Sequence, residues 1–286
     1  MTNASQIFRT LISSAELQAL SPAPLLIDVS FELSDIEAGE AAYQQAHLPG
    51  AHYLHLERDL SGSKTDAKGH FKGRHPLPQR EAFALRMKAL GLSQTTQVVA
   101  YDGQGGMYAA RLWWMLRWLG HAEVAVLDGG TQAWLAAGGA MSSERPTTEP
   151  GNFEPKASLV EQVSAEQLQA RLGQVRLIDA RAPERFRGEV EPLDKQAGHI
   201  PGASNRLFKN NLQADGRFKS SEVLRAEFVP MQAPFEPSQV VHQCGSGVTA
   251  CHNLLAMEHA GLSGSLLYPG SWSEWSSDPA RPIAQG

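Results

Sequence analysis

The segment Val240-Val241-His242-Gln243-Cys244-Gly245-Ser246-Gly247-Val248-Thr249-Ala250 runs from a short apolar strand into a glycine-rich loop, and a helical pattern follows from Val248 to His259. Cys244 stands at the carboxyl end of the strand, where open α/β sheets bind ligands. Gly245 and Gly247 allow successive backbone N–H groups to turn toward one point and form an anion nest. The helix beginning near Val248 adds its positive N-terminal end. A cysteine in such a setting is favoured as a thiolate. The strand–loop–helix context therefore makes Cys244 a candidate nucleophile rather than one more small buried residue. Cys251 falls inside the helix and reads as structural. The spacing of the two cysteines is too long for a bridge within one regular helix. Two cysteines make no disulfide framework, so a cytoplasmic protein with reduced thiols is expected.

The same pattern occurs in the first half as Val98-Val99-Ala100-Tyr101-Asp102-Gly103-Gln104-Gly105-Gly106-Met107, with Asp102 in the place of Cys244. A carboxylate cannot do thiolate chemistry, so this copy reads as inactive. Gly103-x-Gly105 also invites a dinucleotide reading, but the third glycine position is Tyr108 and no acidic partner is clearly placed. Further matches follow in order: Pro24–Val29 with Val175–Ala180, His47–Ala51 with His199–Ala203, and Gly129–Trp134 with Gly270–Trp275. They point to duplication of one domain, the extra residues of the first copy falling between Gly50 and Val98. The expected organisation is an N-terminal domain over 1–140, a linker over 141–157 carrying Pro146, Pro150 and Pro155, and a C-terminal domain over 158–286. Short apolar runs (Leu25–Val29, Val98–Tyr101, Val124–Leu127, Arg176–Ala180, Val240–His242, Ser265–Tyr268) alternate with helical patterns such as Arg80–Leu90 and Met107–Leu119. Doubly buried strands alternating with helices predict an α/β fold with a parallel sheet in each half.

Composition agrees with a two-domain globular chain. The 286 residues include 42% hydrophobic and 19% charged residues, unlike a disordered sequence. Length alone gives about two domains. The formal charge of −5, from 25 basic and 30 acidic residues, argues against a nucleic-acid partner. No apolar run reaches the roughly 18 residues of a membrane span. The first 20 residues lack the pattern of a secretory signal.

The motifs LIDAR (Leu177–Arg181), GHIPGA (Gly198–Ala203), CGSGVTA (Cys244–Ala250) and YPGSWSEW (Tyr268–Trp275) resemble those of tandem rhodanese-type sulfurtransferases over nearly the whole chain. The resemblance implies two similar domains, each a five-stranded parallel sheet between helices, with the active cysteine in the second. It implies a ping-pong reaction in which Cys244 takes sulfur from a small-molecule donor, becomes a persulfide and passes the sulfur to an acceptor. That acceptor would be a thiol, such as a thioredoxin-like protein or a dithiol, or cyanide. Gly245, Gly247, Val248 and Thr249 would line the persulfide cradle, with no metal or organic cofactor required.

Members that prefer thiosulfate carry basic residues in the loop. The uncharged CGSGVT resembles instead the members that use 3-mercaptopyruvate, and implies that donor, with thiosulfate as the alternative. In those members a Ser–His–Asp relay is proposed to handle the substrate proton. It carries over onto Ser246, His75 (in Gly73-Arg74-His75-Pro76) and Asp59. Ser246 as a helix cap and His75 as a residue ordering a proline-rich loop are the plainer readings. The family's substrate arginine carries over onto Arg185, whose guanidinium suits a carboxylate, and Arg187 can add to the same field. A second arginine expected after Glu191-Pro192 is replaced by Leu193. Lys195 or the basic loop Lys64–Arg74 would have to compensate, though Lys64, Lys68, Lys72 and Arg74 read more simply as solvated. Asp179 is expected to brace its loop, and Trp272 and Trp275 to pack rather than stack on substrate.

Three other functions compete. A Cys-x5-Arg phosphatase would need arginine where Ala250 stands. A zinc protein would rest on His52-x-x-His55 alone, without a Cys-x-x-Cys pair. A non-catalytic persulfide carrier would use the same cysteine loop.

Overall fold

The structure, a computed structural model, describes residues 6–286. The chain divides into two compact units. The first comprises residues up to Leu60, Pro78–Leu159 and Ala214–Phe218. The second comprises Ser61–Leu77, Val160–Gln213 and Lys219–Gly286.

In the first unit the chain order is β1 (Leu11–Ile12), α1 (Ser14–Ala19), β2 (Leu25–Asp28), α2 (Ala38–Gln45), β3 (His52–Tyr53), α3 (Arg80–Ala89), β4 (Val98–Tyr101), α4 (Ala109–Trp118), β5 (Val124–Leu127) and α5 (Gly130–Ala136). In the second it is β6 (Glu161–Gln162), α6 (Ala165–Ala170), β7 (Arg176–Asp179), α7 (Pro183–Phe186), β8 (Ala203–Asn205), α8 (Ser221–Gln232), β9 (Val240–Gln243), α9 (Thr249–His259), β10 (Leu266–Leu267) and α10 (Ser271–Trp275). Two 3-10 turns, Phe208–Asn211 and Pro237–Gln239, complete it.

Each unit holds a five-stranded parallel sheet, ordered β1-β5-β4-β2-β3 and β6-β10-β9-β7-β8. The two orders are the same topology, so the duplicated motifs correspond to duplicated folds. Central strands β4, β5 and β9 are buried at every residue, as expected of parallel strands covered on both faces. Val98 and Val99 pair with β2 in register, and Val240 and Val241 pair with β7 in the equivalent register. The core of the second unit joins Leu177 and Val241 to Ile200, Trp272 and Trp275. That of the first joins Val99 and Tyr101 to Leu48, Ala125 and Leu127.

The short strands β1, β3, β6 and β8 carry too few residues to show alternation in the sequence. The first helix of each unit does carry a readable signal, a reciprocal capping box at Ser13/Glu16 and at Ser164/Gln167.

Strand order reverses between β7 and β9. β7 connects onward to β8 on one side and β9 to β10 on the other. The carboxyl ends of these two strands are therefore the topological switch point, where ligands bind. Asp179 ends β7, and Cys244 directly follows β9.

Residues 141–157 do not hang free. Ser142 pairs with His47 in both backbone directions, Gly151 N–H donates to Lys88 C=O at 2.8 Å, and Phe153 is buried. This stretch packs along the first unit because its backbone groups find partners there. Conversely, residues 61–77, which fall within the Gly50–Val98 stretch where the first copy is longer, belong to the second unit.

Candidate active site

Cys244 is 1% exposed. Its N–H donates to Ser271 Oγ (3.1 Å), and its C=O accepts from Trp272 N–H (3.0 Å). The next carbonyl, Gly245, accepts from Ser273 N–H (2.9 Å). The turn opening α10 thus fixes both sides of the cysteine. Ser271 adopts φ 55° to do so, the left-handed region that costs a non-glycine residue about 1–2 kcal/mol. Gly130 holds the same φ of 55° at the corresponding place in the first unit. A serine tolerated there supplies the hydroxyl that accepts the Cys244 N–H and itself donates to Tyr268 C=O (2.9 Å).

The two loop glycines serve different purposes. Gly247 has φ +75°, and a Cβ there would lie 2.3 Å from Pro269 O. Gly245 is marked by a close approach instead of a left-handed φ. A Cβ there would lie 2.7 Å from Arg74 Nη2 and 3.5 and 3.8 Å from the two Nη atoms of Arg185. Val248 and Thr249 lead into α9, and Cys251 within it is buried, its Sγ donating to Gly247 C=O at 3.4 Å.

Ser246 does not cap α9. Val248 stands at the cap without a side-chain bond, and Ser246 Oγ instead meets His75 Nδ1 at 2.8 Å, both residues being buried. Asp59 lies in the first unit. There Oδ2 accepts the His55 N–H (2.8 Å) and Oδ1 pairs with Arg86 (3.1 Å). Both its oxygens have partners in that unit.

Arg185 is one member of an alternating chain of charges. Asp179 pairs with Arg181 (2.7 Å), Arg181 with Glu191 (3.4 Å), Glu191 with Arg185 (2.7 Å), and Arg185 with Asp194 (3.5 Å). Asp194 also takes a short contact from Arg74. Arg181 lies over the Trp272 ring (4.8 Å), which gives that tryptophan a structural role. Arg187 instead points to Glu189 in solvent. Burial holds the Asp194 carboxyl above the ordinary carboxylate range, against the pull of Arg74.

The solvated reading of Arg74 is corrected here. Its side chain is 21% exposed, and its backbone N–H donates to Ser273 Oγ (3.0 Å). Gly73 beside it runs close to Gly270, whose O would lie 2.8 Å from an added Cβ. The only sequence signal for this placement was an excess segment ending in Gly-Arg-His-Pro. Arg74, Asp194 and Ser273 also line a cavity of about 970 Å³ that Phe71, Leu193 and Lys195 help to enclose.

In the first unit Asp102 fills its own nest. Its carboxylate accepts N–H bonds from Gln104, Gly106, Tyr108 and Ala109 at 2.8–2.9 Å. The loop is an anion cradle already occupied, which removes the dinucleotide reading. The zinc reading fails similarly, since His52 Nε2 meets Thr148 Oγ1 (2.8 Å) and His55 Nε2 meets Ile36 O (2.9 Å).

A doubled α/β sheet, with a buried cysteine loop at the switch point of one copy and a carboxylate in that loop of the other, defines a tandem protein with one thiol-bearing site. The Rhodanese-like domain family matches residues 13–137 and 164–278, and the chain belongs to that family. It is 48% identical to a Pseudomonas aeruginosa protein named "Probable 3-mercaptopyruvate sulfurtransferase", over 96% of this chain and 98% of that one. It is 36% identical to the thiosulfate sulfurtransferase of Cricetulus griseus, over 98% and 97%. Among solved structures, 3-mercaptopyruvate sulfurtransferase from Leishmania major superposes with a TM-score of 0.82 at 30% identity, covering 94% of this chain and 74% of that one. Among the described residues, no helix is long and apolar enough to cross a membrane.

Proposed function

We propose that this protein is a sulfurtransferase that moves sulfur from 3-mercaptopyruvate, through a Cys244 persulfide, to a thiol acceptor or cyanide. The Cys244 thiolate attacks the donor sulfur. An S–S bond forms, the donor C–S bond breaks, and its electron pair leaves on carbon as the pyruvate enolate. The proton of the donor thiol is relayed through Ser246 and His75 to that enolate, giving pyruvate. An acceptor thiolate or cyanide then attacks the outer sulfur and regenerates the Cys244 thiolate. No external oxidant or reductant enters.

The observation that carries this reading is the 2.8 Å contact of Ser246 with His75 beside the cysteine loop. Thiosulfate, the alternative donor, brings no proton. It leaves as sulfite when its outer sulfur is attacked, so it gives such a pair nothing to do. Asp59 holds His55 and Arg86 within the first unit, so the relay proposed here consists of Ser246 and His75. The charge chain matches a monoanionic carboxylate as well: its three arginines are balanced by three carboxylates, which leaves guanidinium forks without a large net field for a dianion. Two buried cysteines that form no disulfide, Cys244 and Cys251, suit a reducing cytoplasmic setting.

A second reading keeps the persulfide and exchanges the donor for thiosulfate. It draws on Arg74 and Arg185, which place two cations over a loop that lacks any in sequence. The test is a side-by-side measurement of kcat/KM for 3-mercaptopyruvate and thiosulfate, with cyanide and a dithiol as acceptors, and with Cys244→Ser as the control. A large mercaptopyruvate preference, lost entirely in the control, is expected. A thiosulfate preference would overturn the donor assignment. Turnover with neither donor would leave a persulfide carrier that is loaded by a partner protein.

A further inference from the structure

We infer that Arg74 is the second carboxylate-binding residue of the donor site, supplying from the 61–77 segment the guanidinium that Leu193 fails to provide. This rests on the mercaptopyruvate reading above and adds to it a binding residue from an unexpected part of the chain.

Three observations converge. Nη atoms of Arg74 and Arg185 both lie within 4 Å of the position a Gly245 Cβ would take, so two guanidinium groups meet directly beside the residue that follows Cys244. The Nε–H groups of both arginines are buried without a hydrogen-bond partner among the described residues. Leaving a buried donor unsatisfied is unfavourable, and two such donors on neighbouring cations suit an incoming anion with two oxygens. Finally, Arg74 is held by the same turn that holds the cysteine. Its N–H donates to Ser273 Oγ (3.0 Å), while Ser273 N–H donates to Gly245 C=O (2.9 Å). The Arg74 backbone is therefore tied to the same turn that holds the cysteine loop.

Leu193, 46% exposed, lines the same cavity as Arg74 and Asp194 but offers an anion no side-chain donor. Its neighbour Asp194 bridges the two guanidiniums, in short contact with Arg74 and 3.5 Å from Arg185. Asp194 thus keeps the fork aligned and cancels part of its charge, so an occupant must offer a well-placed carboxylate rather than charge alone.

The test is steady-state kinetics of the full chain with 3-mercaptopyruvate for Arg74→Gln, Arg74→Lys, Arg74→Gln with Asp194→Asn, and Arg74→Gln with Leu193→Arg. Losing a charged hydrogen-bond fork is expected to raise KM about ten- to hundredfold with kcat changed far less. Lysine keeps the charge but not the fork and should recover only part of the loss. The Asp194→Asn double variant removes the orphaned carboxylate and should keep the KM defect, which separates lost binding from a disturbed fold. Leu193→Arg should restore KM toward the parent value. A KM within twofold of the parent in Arg74→Gln overturns the inference, and so does failure of Leu193→Arg to restore it. If the parent protein itself does not turn over mercaptopyruvate, the donor reading fails before Arg74 is reached, and the two failures remain distinguishable.

Discussion

Ser246 can be tested apart from Cys244 because the two candidate donors differ by a proton. Ser246→Ala removes the hydroxyl that meets His75 and leaves the loop backbone intact. Positioned proton transfer contributes roughly 10²–10⁴-fold, so kcat with 3-mercaptopyruvate should fall by about two orders of magnitude or more. Thiosulfate turnover, measured on the same preparation, should change severalfold at most; equal loss with both donors would mean that Ser246 shapes the loop instead of moving a proton. A second residue-scale expectation concerns His242 on β9, fully buried, with Nε2 3.0 Å from Met257 Sδ. Burial, helped by Arg206, lowers its pKa to about 3. Between the unfolded value near 6.5 and 3, the unfolded chain binds a proton that the native protein refuses. Stability must then fall as pH drops through that window, by up to about 1.4 kcal/mol per unit from this group. Urea unfolding of His242→Gln between pH 6.5 and 4 should show a shallower slope than the parent, whatever its absolute stability; parallel slopes would refute the assignment.

At the scale of the element, the cysteine loop contains two glycines that alanine should separate. Alanine at Gly247 must adopt φ +75° with its Cβ 2.3 Å from a backbone oxygen. Strain of about 1–2 kcal/mol from the dihedral alone, plus a clash that no rotamer relieves, should lower the unfolding free energy and abolish turnover together. Alanine at Gly245 crowds the tip of Arg74, a flexible side chain that can shift, and touches Arg185 at ordinary contact distance. That variant should melt close to the parent yet lose donor affinity, as read by KM; a normal KM would show that Arg74 does not need its place over Gly245. The loop's existence, the strand before it and the helix after it were legible in sequence, because hydrophobic runs and glycines are local signals. The reason for Gly245 was not legible, since it depends on an arginine brought from more than 150 residues away by a segment with no periodicity. The same holds for Ser271, whose left-handed φ no residue preference announces, and for the edge strands, too short to alternate.

Over the whole molecule, the two units share one sheet topology and differ in what the loop after the central strand holds. The two sheets share one strand order, and in each a glycine-containing loop follows the central strand. In the first unit that residue is Asp102, already bound by four N–H groups. Gln104 occupies the position of Ser246, Gly105 and Gly106 both take positive φ where the second loop has Gly247 alone, and nothing lies within 4 Å of a Cβ built on Gly103. Among the described residues, then, no guanidinium comes within 4 Å of a Gly103 Cβ as Arg74 and Arg185 do at Gly245. A cysteine alone should then not be enough. In a chain carrying Cys244→Ser, adding Asp102→Cys should give no measurable sulfur transfer from 3-mercaptopyruvate, although the new thiol sits at the end of an equivalent strand. Mass spectrometry after donor treatment should find no added sulfur on it. Recovered turnover would mean that strand, loop and helix suffice for the chemistry. Continued inactivity would locate catalysis in the residues that the 61–77 and 185–194 segments bring to only one of the two copies.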